Sequence, residues 1–302
     1  MKPISEGAVV TIGNFDGVHL GHQALLGEAV SRGRAAGIPS VALTFWPHPL
    51  KVLSPETPLV LLTSSEEKIR LIGQTGIDLL YCADFDRPFS QQSAEGFVRS
   101  FLVEKIRSRD VIVGYNFAFG KNRGGKTEDL VEMGKRYGFA VHVQKPVEVD
   151  GIRVSSSTIR SALEQGKVAL AARLLGRPYS LQGEVIPGEK RGTALGFPTA
   201  NLRPPADLAL PLSGVYAAWA SRPDAKPIPA AAYVGPRPTF GVGELFIEAH
   251  LLSPTDSLYG TVLSVSFVEF VRPDEKFDDG AALARQMALD IEKVRRILGE
   301  GR

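Results

Sequence analysis

Short apolar runs alternate with stretches of helical periodicity along the first half of the chain. The strand-like runs cover residues 8–12, 39–45, 77–82, 110–114 and 139–144. The helical patterns cover residues 22–37, 93–106 and 126–138. Strands that alternate with helices predict a parallel sheet with crossover helices. Ligands bind such a sheet beyond the carboxyl ends of its strands, so the segments that follow these runs are the first candidates for chemistry.

The pattern changes in the second half of the chain. Gly176 is a good helix stop, and Pro178 prevents the helix from continuing. Strand-like pieces then lie between turns rich in Gly and Pro, at residues 214–220, 230–235, 245–252 and 261–271. Short strands at this spacing predict a small antiparallel barrel or sandwich. One amphipathic helix closes the chain, with apolar positions at Leu283, Met287, Ile291, Val294 and Leu298.

This change divides the chain into two predicted domains, residues 1–178 and 179–302. A length of 302 residues is sufficient for two domains, and a hydrophobic content of 44% is ordinary for soluble globular protein. No run approaches the roughly 18 to 20 apolar residues of a membrane span. The N-terminus lacks the charged and then apolar pattern of a signal peptide. We therefore expect a cytoplasmic protein that does not contact membranes.

Charge and cysteine content narrow the range of partners. The formal net charge of +2 argues neither for nor against an acidic partner. Basic clusters at 120–126 and 188–192 are rich in glycine, which is typical of phosphate-contacting loops rather than of a nucleic-acid-binding surface. Cys82 is the only cysteine, which excludes an internal disulfide and a thiolate metal cage. We expect Cys82 to be a buried strand residue and predict no nucleic-acid partner; protein partners are left open.

The segment TIGNFDGVHLGHQALL (11–26) contains two of the five histidines, His19 and His22. They lie one helical turn apart, where a strand meets a helix, and positions three apart share a helix face. Backbone N–H groups at a helix start form a natural anion site. Imidazoles at such a site can donate hydrogen bonds to phosphoryl oxygens during transfer. A single histidine is usually structural, but this pair predicts a site for phosphate chemistry.

Three further segments place polar groups near strand ends. TFWPHP (44–49) contains His48, and VGYNFAFGKNRGG (113–125) contains Asn116. VSSSTIRSAL (154–163) joins several hydroxyls to Arg160, as in a loop that wraps a triphosphate. Asp16, inside the histidine segment, is a candidate ligand for a metal ion or a ribose. Each segment alone is more often a turn or a helix cap, but together they favour a ligand site.

These segments, in this order, resemble the adenylyltransferase half of prokaryotic bifunctional riboflavin kinase/FAD synthetases. The resemblance implies a Rossmann-like nucleotidylyltransferase domain that transfers AMP from ATP to the phosphate of FMN, giving FAD and pyrophosphate. It implies catalytic roles for His19 and His22, and FMN contacts from His48, Pro49 and Asn116. It implies ATP contacts from Gly13, Asn14, Phe15, Asp16, His19, Gly21, His22, Ser156, Ser157, Thr158 and Arg160. Because the FMN phosphate is already an anionic nucleophile, alignment and Mg²⁺-assisted charge stabilisation are needed rather than a general base.

The second half contains a different candidate phosphate site. The segment GEVIPGEKRGTALGFPTANL (183–202) has a glycine-flanked basic loop but lacks the GxxxxGK[ST] pattern of common nucleotide-binding loops. Thr199 and Asn201 share one side if this backbone is extended. Their hydroxyl and amide oxygen would then be available to hold Mg·ATP. A hairpin turn is the alternative interpretation of this stretch.

The segment ELFIEAHLL (244–252) predicts a strand with two different faces. The side chains expected in the core are Leu245, Ile247, Ala249 and Leu251. Glu248 lies on the opposite side with Phe246 and His250, where a carboxylate is able to accept a proton from a substrate hydroxyl. An exposed glutamate on a barrel is usually only solvated, so this strand alone does not decide between the two roles.

These segments also resemble the riboflavin kinase module that follows the same adenylyltransferase, together with GPRPTF (235–240), LYG (258–260) and FVRPDEKF (270–277). The resemblance implies a six-stranded antiparallel barrel with Glu248 as the base for the ribityl 5′-hydroxyl of riboflavin. It implies kinase ATP contacts from Gly188, Lys190, Gly192, Thr199 and Asn201, the last two also binding the metal. The chain departs from the family at Tyr233 and Val234, where Asn-Ile is common, and at Thr193, where arginine is common.

Two alternatives to a bifunctional flavin enzyme stay open from sequence. The first half could adenylylate some other phosphate while only the kinase acts on flavin. The whole chain could instead be a flavin-binding sensor derived from such an enzyme. The sensor is disfavoured because His19, His22 and Glu248 are all present, and a protein that only binds flavin has no need of a base.

Overall fold

The computed structural model describes residues 6–188, 196–223, 225–236, 245–253 and 258–299. The chain divides into two compact units, residues 1–156 and 157–302. Within the described ranges, no helix is both long and apolar enough to cross a membrane. Sequence analysis places a domain boundary after residue 178, between the two segments to which it assigns the activities. That boundary stays a prediction.

The first unit alternates strands and helices. Its strands are β1 Ala8–Ile12, β2 Ser40–Trp46, β3 Leu79–Asp84, β4 Ser108–Gly114, β5 Ala118–Phe119, β6 Gly125–Lys126, β7 Ala140–Gln144, β8 Glu148–Val149 and β9 Ile152–Arg153. Its helices are α1 Leu20–Ala36, α2 Pro49–Leu53, α3 Ser65–Gly73, α4 Arg87–Ser90, α5 Ala94–Phe97 with a π-helical continuation Val98–Lys105, a 3₁₀ turn Lys121–Arg123, and α6 Thr127–Tyr137. Five strands form one parallel sheet in the order β3-β2-β1-β4-β7, which confirms the predicted α/β architecture.

The central strand β1 is buried along its whole length. Val9 packs with Phe15 and Leu26 on one face of the sheet. Val10 packs on the other face, in a cluster that contains Phe97. Because successive strand residues point to opposite faces, an uninterrupted apolar run is what a sheet covered on both sides requires.

The strand order predicts a ligand crevice beside β1. The chain leaves β1 for β2 and β3 on one side, and then returns to place β4 on the other side. At such a reversal the connections that follow the two adjacent strands diverge, which opens a crevice at their carboxyl ends. The loop after β1 and the segment after β4 both end at this crevice, and they contain the histidine motif and Asn116.

The second unit begins within α7, Ser156–Glu164, and continues through α8, Val168–Leu175. Its strands are β10 Tyr179–Ile186, β11 Ala200–Arg203, β12 Gly214–Ser221, β13 Ile228–Pro236, β14 Leu245–Leu251 and β15 Val262–Pro273. These antiparallel strands close into a barrel in the order β10-β11-β14-β13-β12-β15. The barrel, one of the two architectures expected from the strand spacing, is thereby confirmed.

One face of each barrel strand fills the interior. Ile247 and Ala249 are fully buried there, as the alternation in β14 predicts. Neighbouring strands contribute Leu202, Tyr216 and Phe267, which are also inaccessible to solvent. Closing the sheet in this way leaves the opposite face of β14 for polar side chains.

The C-terminal helix α9, Gly280–Leu298, packs on the outer wall of the barrel. Asp279 caps it by accepting a hydrogen bond from the N–H of Ala282 at 2.7 Å. Val294 is buried against Val215 of β12. Asp290 also accepts hydrogen bonds from the guanidinium of Arg272, with a distance of 2.9 Å from Nη2 to Oδ2. The predicted amphipathic helix is therefore confirmed, and a largely buried ion pair helps to fix it.

Two local expectations are wrong. Cys82 is exposed rather than buried, because β3 is the edge strand of the sheet and most of its side chains are incompletely covered. The segment 154–163, expected to be a loop around a triphosphate, is mostly the helix α7. Ile159, Ala162 and Leu163 bury one face of this helix at a spacing of three and four residues, which stabilises it by packing.

Candidate active sites

The loop between β1 and α1 has a constrained backbone. Phe15 and Val18 have φ values of 51° and 39°, in the left-handed region that non-glycine residues rarely occupy. Both side chains are buried, with 0% and 1% of their surface exposed. The conformation is costly, particularly for a β-branched valine, so core packing must hold it in place. Unfavourable backbone geometry of this kind is often found at functional sites.

Asp16 ties this loop to the segment before α3. Its carboxylate Oδ1 accepts hydrogen bonds from the backbone N–H of Leu62 at 2.8 Å and of Thr63 at 3.3 Å. The N–H of Gly17 donates to the hydroxyl of Thr63 at 3.1 Å. The hydroxyl of Ser156 donates to the carbonyl oxygen of Asp16 at 2.9 Å. These bonds give Asp16 a structural task in the loop, and its predicted contact with ATP stays a prediction.

His19 and His22 form a stacked pair at the start of α1. Their ring centroids are 3.6 Å apart with an interplanar angle of 15°. His19 caps the helix, since its Nδ1 accepts a hydrogen bond from the N–H of His22 at 3.3 Å. A neutral His19 therefore carries its proton on Nε2, which makes Nε2 a hydrogen-bond donor. The predicted pair exists, and it lies at the predicted helix N-terminus.

The environment of His22 favours its neutral form. Its Nδ1 is buried and has no hydrogen-bond partner among the described residues. The ring of Phe15 packs edge-on against the imidazole at 5.3 Å. Burial lowers the pKa of His22 well below its ordinary value, and the nearby charges of His19 and Lys68 lower it further. The imidazole thus stays neutral at pH values where an exposed histidine would begin to gain a proton.

Lys68 is a buried residue beside the histidine loop that sequence reasoning missed. It lies on α3 with only 8% of its surface exposed, and its ammonium approaches the carbonyl oxygens of Asn14 and Phe45. The signal was present, because Lys68, Leu71 and Ile72 occupy one helical stripe. A lysine in the apolar stripe of an amphipathic helix is uncommon and indicates a buried charge.

The remaining predicted residues of the first unit lie near other strand ends. His48 caps α2, and its Nδ1 accepts a hydrogen bond from the N–H of Leu50 at 3.2 Å. Pro49 is the first residue of that helix. Asn116 is exposed just after β4.

Ser156, Ser157, Thr158 and Arg160 all lie in the first two turns of α7. Ser157 is exposed, whereas Thr158 and Arg160 are half-buried. Only Ser156 belongs to the first compact unit, and its hydroxyl contacts the histidine loop as described above. The contacts of the other side chains with ATP stay predictions.

A cavity of about 400 Å³ lies within the first unit, beside the end of α2. Its apolar lining includes Phe85, Phe89 and Phe97, and its cationic lining includes Arg87 and Arg123. Gln92 also lines it, with an amide oxygen that is buried and lacks a hydrogen-bond partner among the described residues. Sequence analysis singled out only the basic cluster that contains Arg123, because the other lining residues are spread over separate elements and loops. An apolar pocket with a few polar groups is typical of a small-molecule site.

In the barrel, Asn201 and Glu248 are brought side by side. They are direct partners in the pairing of β11 with β14, and Tyr233 of β13 is the partner of Glu248 on its other side. Asn201 is buried, whereas Glu248 is half-buried. Thr199 is also half-buried and lies directly before β11, on the same side of an extended backbone as Asn201. The predicted kinase residues Thr199, Asn201 and Glu248 are thus neighbours.

The phenol of Tyr233 fills the space above Gly235. A β-carbon at Gly235 would collide with this phenol, so glycine is required wherever tyrosine occupies position 233 in this rotamer. Burial raises the pKa of Tyr233, and Asp274 and Glu248 raise it further. Tyr233 is therefore a neutral hydroxyl next to the carboxylate of Glu248.

His250 and Phe246 flank Glu248 along β14. The Nδ1 of His250 lies 2.8 Å from the carbonyl oxygen of Pro198, so it donates and fixes the backbone just before Thr199. The ring of Phe246 is buried under the guanidinium of Arg203 at 5.5 Å. These contacts hold the two strands in place around the carboxylate.

The basic loop expected at 188–192 is mostly outside the described residues. Gly188 is half-buried and follows β10. Lys190, Gly192 and Thr193 lie outside the described ranges, as does most of the segment 235–240. Within those ranges, no group of three or more His, Cys, Asp or Glu side chains is arranged to hold a metal ion.

Comparisons with known proteins cover both units. Residues 1–158 match the family model of FAD synthetase, and residues 175–298 match that of riboflavin kinase. The bifunctional riboflavin kinase/FMN adenylyltransferase of Escherichia coli (strain K12) is 36% identical over 294 residues, with 97% of this chain and 94% of that protein covered. The protein of the same description from Pseudomonas fluorescens is 37% identical over 298 residues, with coverage of 98% and 95%.

A solved structure also matches along the chain. The crystal structure described as a macrolide-efflux protein from Streptococcus pneumoniae aligns with a TM-score of 0.84 at 30% sequence identity. The alignment covers 96% of this chain and 93% of that one. This likeness supports the fold of both units.

Proposed function

Because this chain belongs to the family of bifunctional riboflavin kinase/FMN adenylyltransferases, we propose that its two units carry out successive steps of flavin cofactor synthesis. The barrel phosphorylates riboflavin to FMN, and the α/β unit adenylylates FMN to FAD. ATP is the second substrate of both reactions. Riboflavin, FMN and ATP are therefore the small molecules that the chain recognises.

The stacked pair of His19 and His22 carries the adenylyl-transfer proposal. A phosphate oxygen of FMN attacks the α-phosphorus of ATP, the bond to the bridging oxygen breaks, and pyrophosphate leaves. The Nε2–H of His19 and the N–H groups at the start of α1 are suited to donate to the α-phosphoryl oxygens as charge develops. His22, which is held neutral by burial, adds an uncharged imidazole beside them.

The aromatic cavity of the first unit is the best candidate site for the isoalloxazine ring of FMN. Phe85, Phe89 and Phe97 offer apolar surface to a planar ring system. The unpartnered oxygen of Gln92 is able to accept a hydrogen bond from a ring N–H. His48, Pro49 and Asn116 would then contact other parts of FMN, as the sequence predicts.

The adjacent residues Asn201 and Glu248 carry the kinase proposal. Glu248 accepts the proton of the ribityl 5′-hydroxyl while that oxygen attacks the γ-phosphorus of ATP and ADP leaves. Thr199 and Asn201 supply a hydroxyl and an amide oxygen, the hard oxygen ligands that Mg²⁺ accepts. Thr199 and Asn201 would hold Mg²⁺ together with the phosphates of ATP, and the ion would supply charge neutralisation there. The donor set fits the ion, because Mg²⁺ commonly keeps water and phosphate oxygens as its other ligands.

Product analysis tests the proposal. Purified protein with riboflavin, ATP and Mg²⁺ should form FMN first and FAD later, as followed by chromatography. A second incubation that starts from FMN should give FAD and pyrophosphate in equal amounts. Formation of FMN without any FAD would favour an adenylyltransferase for another phosphate, and binding of riboflavin without turnover would favour a flavin sensor.

A further inference from the structure

Helix α3 carries a lysine at a core position of the first unit. The buried residues of this helix are Lys68, Leu71 and Ile72. Only 8% of the surface of Lys68 is exposed. Among the described residues, no carboxylate forms an ion pair with its ammonium. A buried ammonium without a direct ion-pair partner is unfavourable, and for Lys68 the loss of hydration outweighs the favourable influence of the Asp16 carboxylate.

The protein compensates this charge only weakly. The Nζ atom lies 3.4 Å from the carbonyl oxygen of Asn14, 3.4 Å from the hydroxyl of Thr44 and 3.5 Å from the carbonyl oxygen of Phe45. These distances are beyond the usual range for a nitrogen donor, and all the acceptors are neutral. The ring of Trp46 lies 5.9 Å from Nζ, near the limit of a cation–π contact. Burial lowers the pKa of Lys68, although the charges of Cys82 and Asp16 act in the opposite direction.

The acceptors define where the charge lies. Asn14 belongs to the loop that leads to the histidine pair, and Thr44 and Phe45 end the strand β2. These two strand ends are adjacent, because Ile12 and Leu43 are partners in the parallel pairing of β1 with β2. The ammonium therefore joins the backbone at the adjacent ends of β1 and β2, on the β2 side of β1. Its effect on the pKa of His22, though smaller than that of burial, places it within electrostatic reach of that imidazole.

We propose that Lys68 is a positioning residue of the adenylyl-transfer site: its ammonium ties the Asn14 loop to the end of β2 and supplies positive charge beside the histidine pair. The inference rests on the adenylyl transfer proposed above. Phosphates bound at the start of α1 would add negative charge near Lys68 to that of the Asp16 carboxylate, which already acts on the ammonium. The residue thus favours anion binding at the expense of stability, a common compromise at functional sites.

Substitutions in the full-length chain separate this role from a structural one. Lys68→Met removes the charge but keeps the length and apolar body of the side chain, whereas Lys68→Arg keeps the charge. Lys135→Met is the matched control, because Lys135 is an exposed lysine of the same unit that pairs with Glu132 on α6. His22→Ala reports on the proposed reaction itself. Each variant is tested for FMN formation, for kcat and KM of FAD formation, and for the unfolding temperature with and without inorganic pyrophosphate.

We expect Lys68→Met to lower kcat of FAD formation by about 10- to 100-fold, somewhat less than the loss of a direct transition-state donor. FMN formation should stay within about twofold of the unmodified protein. The unliganded Lys68→Met protein should unfold at the same temperature or higher, and most of the stabilisation by pyrophosphate should be lost. Lys68→Arg should restore much of both the rate and the pyrophosphate effect. Lys135→Met should behave as the unmodified protein.

Two results would overturn the inference. Lys68→Met could retain FAD formation within about twofold and keep its full response to pyrophosphate, in which case the charge has no role at the site. Alternatively, both substitutions at Lys68 could lower the unfolding temperature and the rate together without rescue by arginine, in which case the lysine is structural. Failure of the proposed function is a different observation: the unmodified protein would form no FAD, or His22→Ala would leave FAD formation unchanged.

Discussion

Asn201 and Glu248 are cross-strand partners on the outer face of a closed barrel, and the phenol of Tyr233 is next in the same row. Paired residues of antiparallel strands point to the same side, about 4.5 to 5.5 Å apart at their β-carbons. An amide, a carboxylate and a neutral hydroxyl are thereby held together by backbone pairing rather than by flexible loops. Such an arrangement is suited to the transfer of a proton from a substrate hydroxyl.

Glu248→Gln should therefore stop the kinase reaction without disturbing the fold. The amide keeps the size of the side chain and its place on β14 but is unable to accept the proton, which typically costs about 10² to 10⁴ in rate. We expect riboflavin and Mg·ATP to bind nearly normally, while FMN forms very slowly. Supplied FMN should still be converted to FAD, which controls for misfolding of the first unit. A rate of FMN formation within a fewfold of the unmodified protein would show that Glu248 is not the base.

His22→Ala should have the opposite selectivity. Removal of the imidazole opens a space beside Phe15 and leaves His19 without its stacking partner, so the proposed donor is held only by its hydrogen bond with the backbone N–H of position 22. Loss of one preorganised group at a developing phosphoryl charge typically costs on the order of a hundredfold. FMN formation from riboflavin should be spared, since Glu248 and Asn201 are unchanged. Unaltered FAD formation would exclude the histidine pair from the reaction.

The protonation of His22 can be measured directly. NMR titration of labelled histidines, with the His22 signal assigned from a His22→Asn variant, should give a pKa below the ordinary value of about 6.5. The pKa of this base is lower in the folded protein than in the unfolded chain, so folding is disfavoured once the unfolded chain binds the proton. His22 should thus lower the free energy of unfolding as the pH falls from about 6.5 towards the pKa of His22 in the folded protein. Above about pH 6.5 it should have no such effect. A pKa at or above the ordinary value would contradict the burial of its Nδ1.

Fragments of the second unit test the placement of the domain boundary. Residues 157–302 and 181–302 should both form FMN but no FAD, because Thr199, Asn201 and Glu248 are retained. The shorter fragment lacks α8, whose Val168, Leu174 and Leu175 are buried. Burial of each such side chain contributes about 1.5 to 3 kcal/mol, so urea unfolding should show a less stable shorter fragment. If either fragment is folded yet inert towards riboflavin, the assignment of one activity to each unit is wrong.

The fold was largely accessible from sequence because its strongest signals are local. The alternation of apolar runs and helical patterns predicts the parallel sheet, and the alternating faces of β14 place Ile247 inside the barrel. Errors occur where burial depends on distant neighbours. Cys82 occupies an apolar strand, but only the sheet order reveals that this strand is an edge. The serine-rich start of α7 resembles a loop until the packing of Ile159 and Leu163 is known.

The candidate site could be predicted from sequence only in part, because only some of its signals are local. His19 and His22 are three residues apart, so their proximity follows from helix geometry alone. Lys68 is distant in sequence from Asn14, with which it makes contact, and the sequence contains no motif that connects them. The residues of the aromatic cavity are likewise brought together only by the fold. The pairing of Asn201 with Glu248 needs the strand order of the barrel, which the two separate segments do not specify.

The row formed by Asn201, Glu248 and Tyr233 also limits how this sequence can vary in length. Inserting or deleting one residue within β11 or β14 would turn every following side chain of that strand to the other face. The carboxylate would then point into the barrel, and an apolar side chain such as Ile247 or Ala249 would take its place outside. Length variation compatible with kinase activity is therefore confined to the connections between these strands. Insertions or deletions inside β11 or β14 should abolish the reaction even when the barrel still closes.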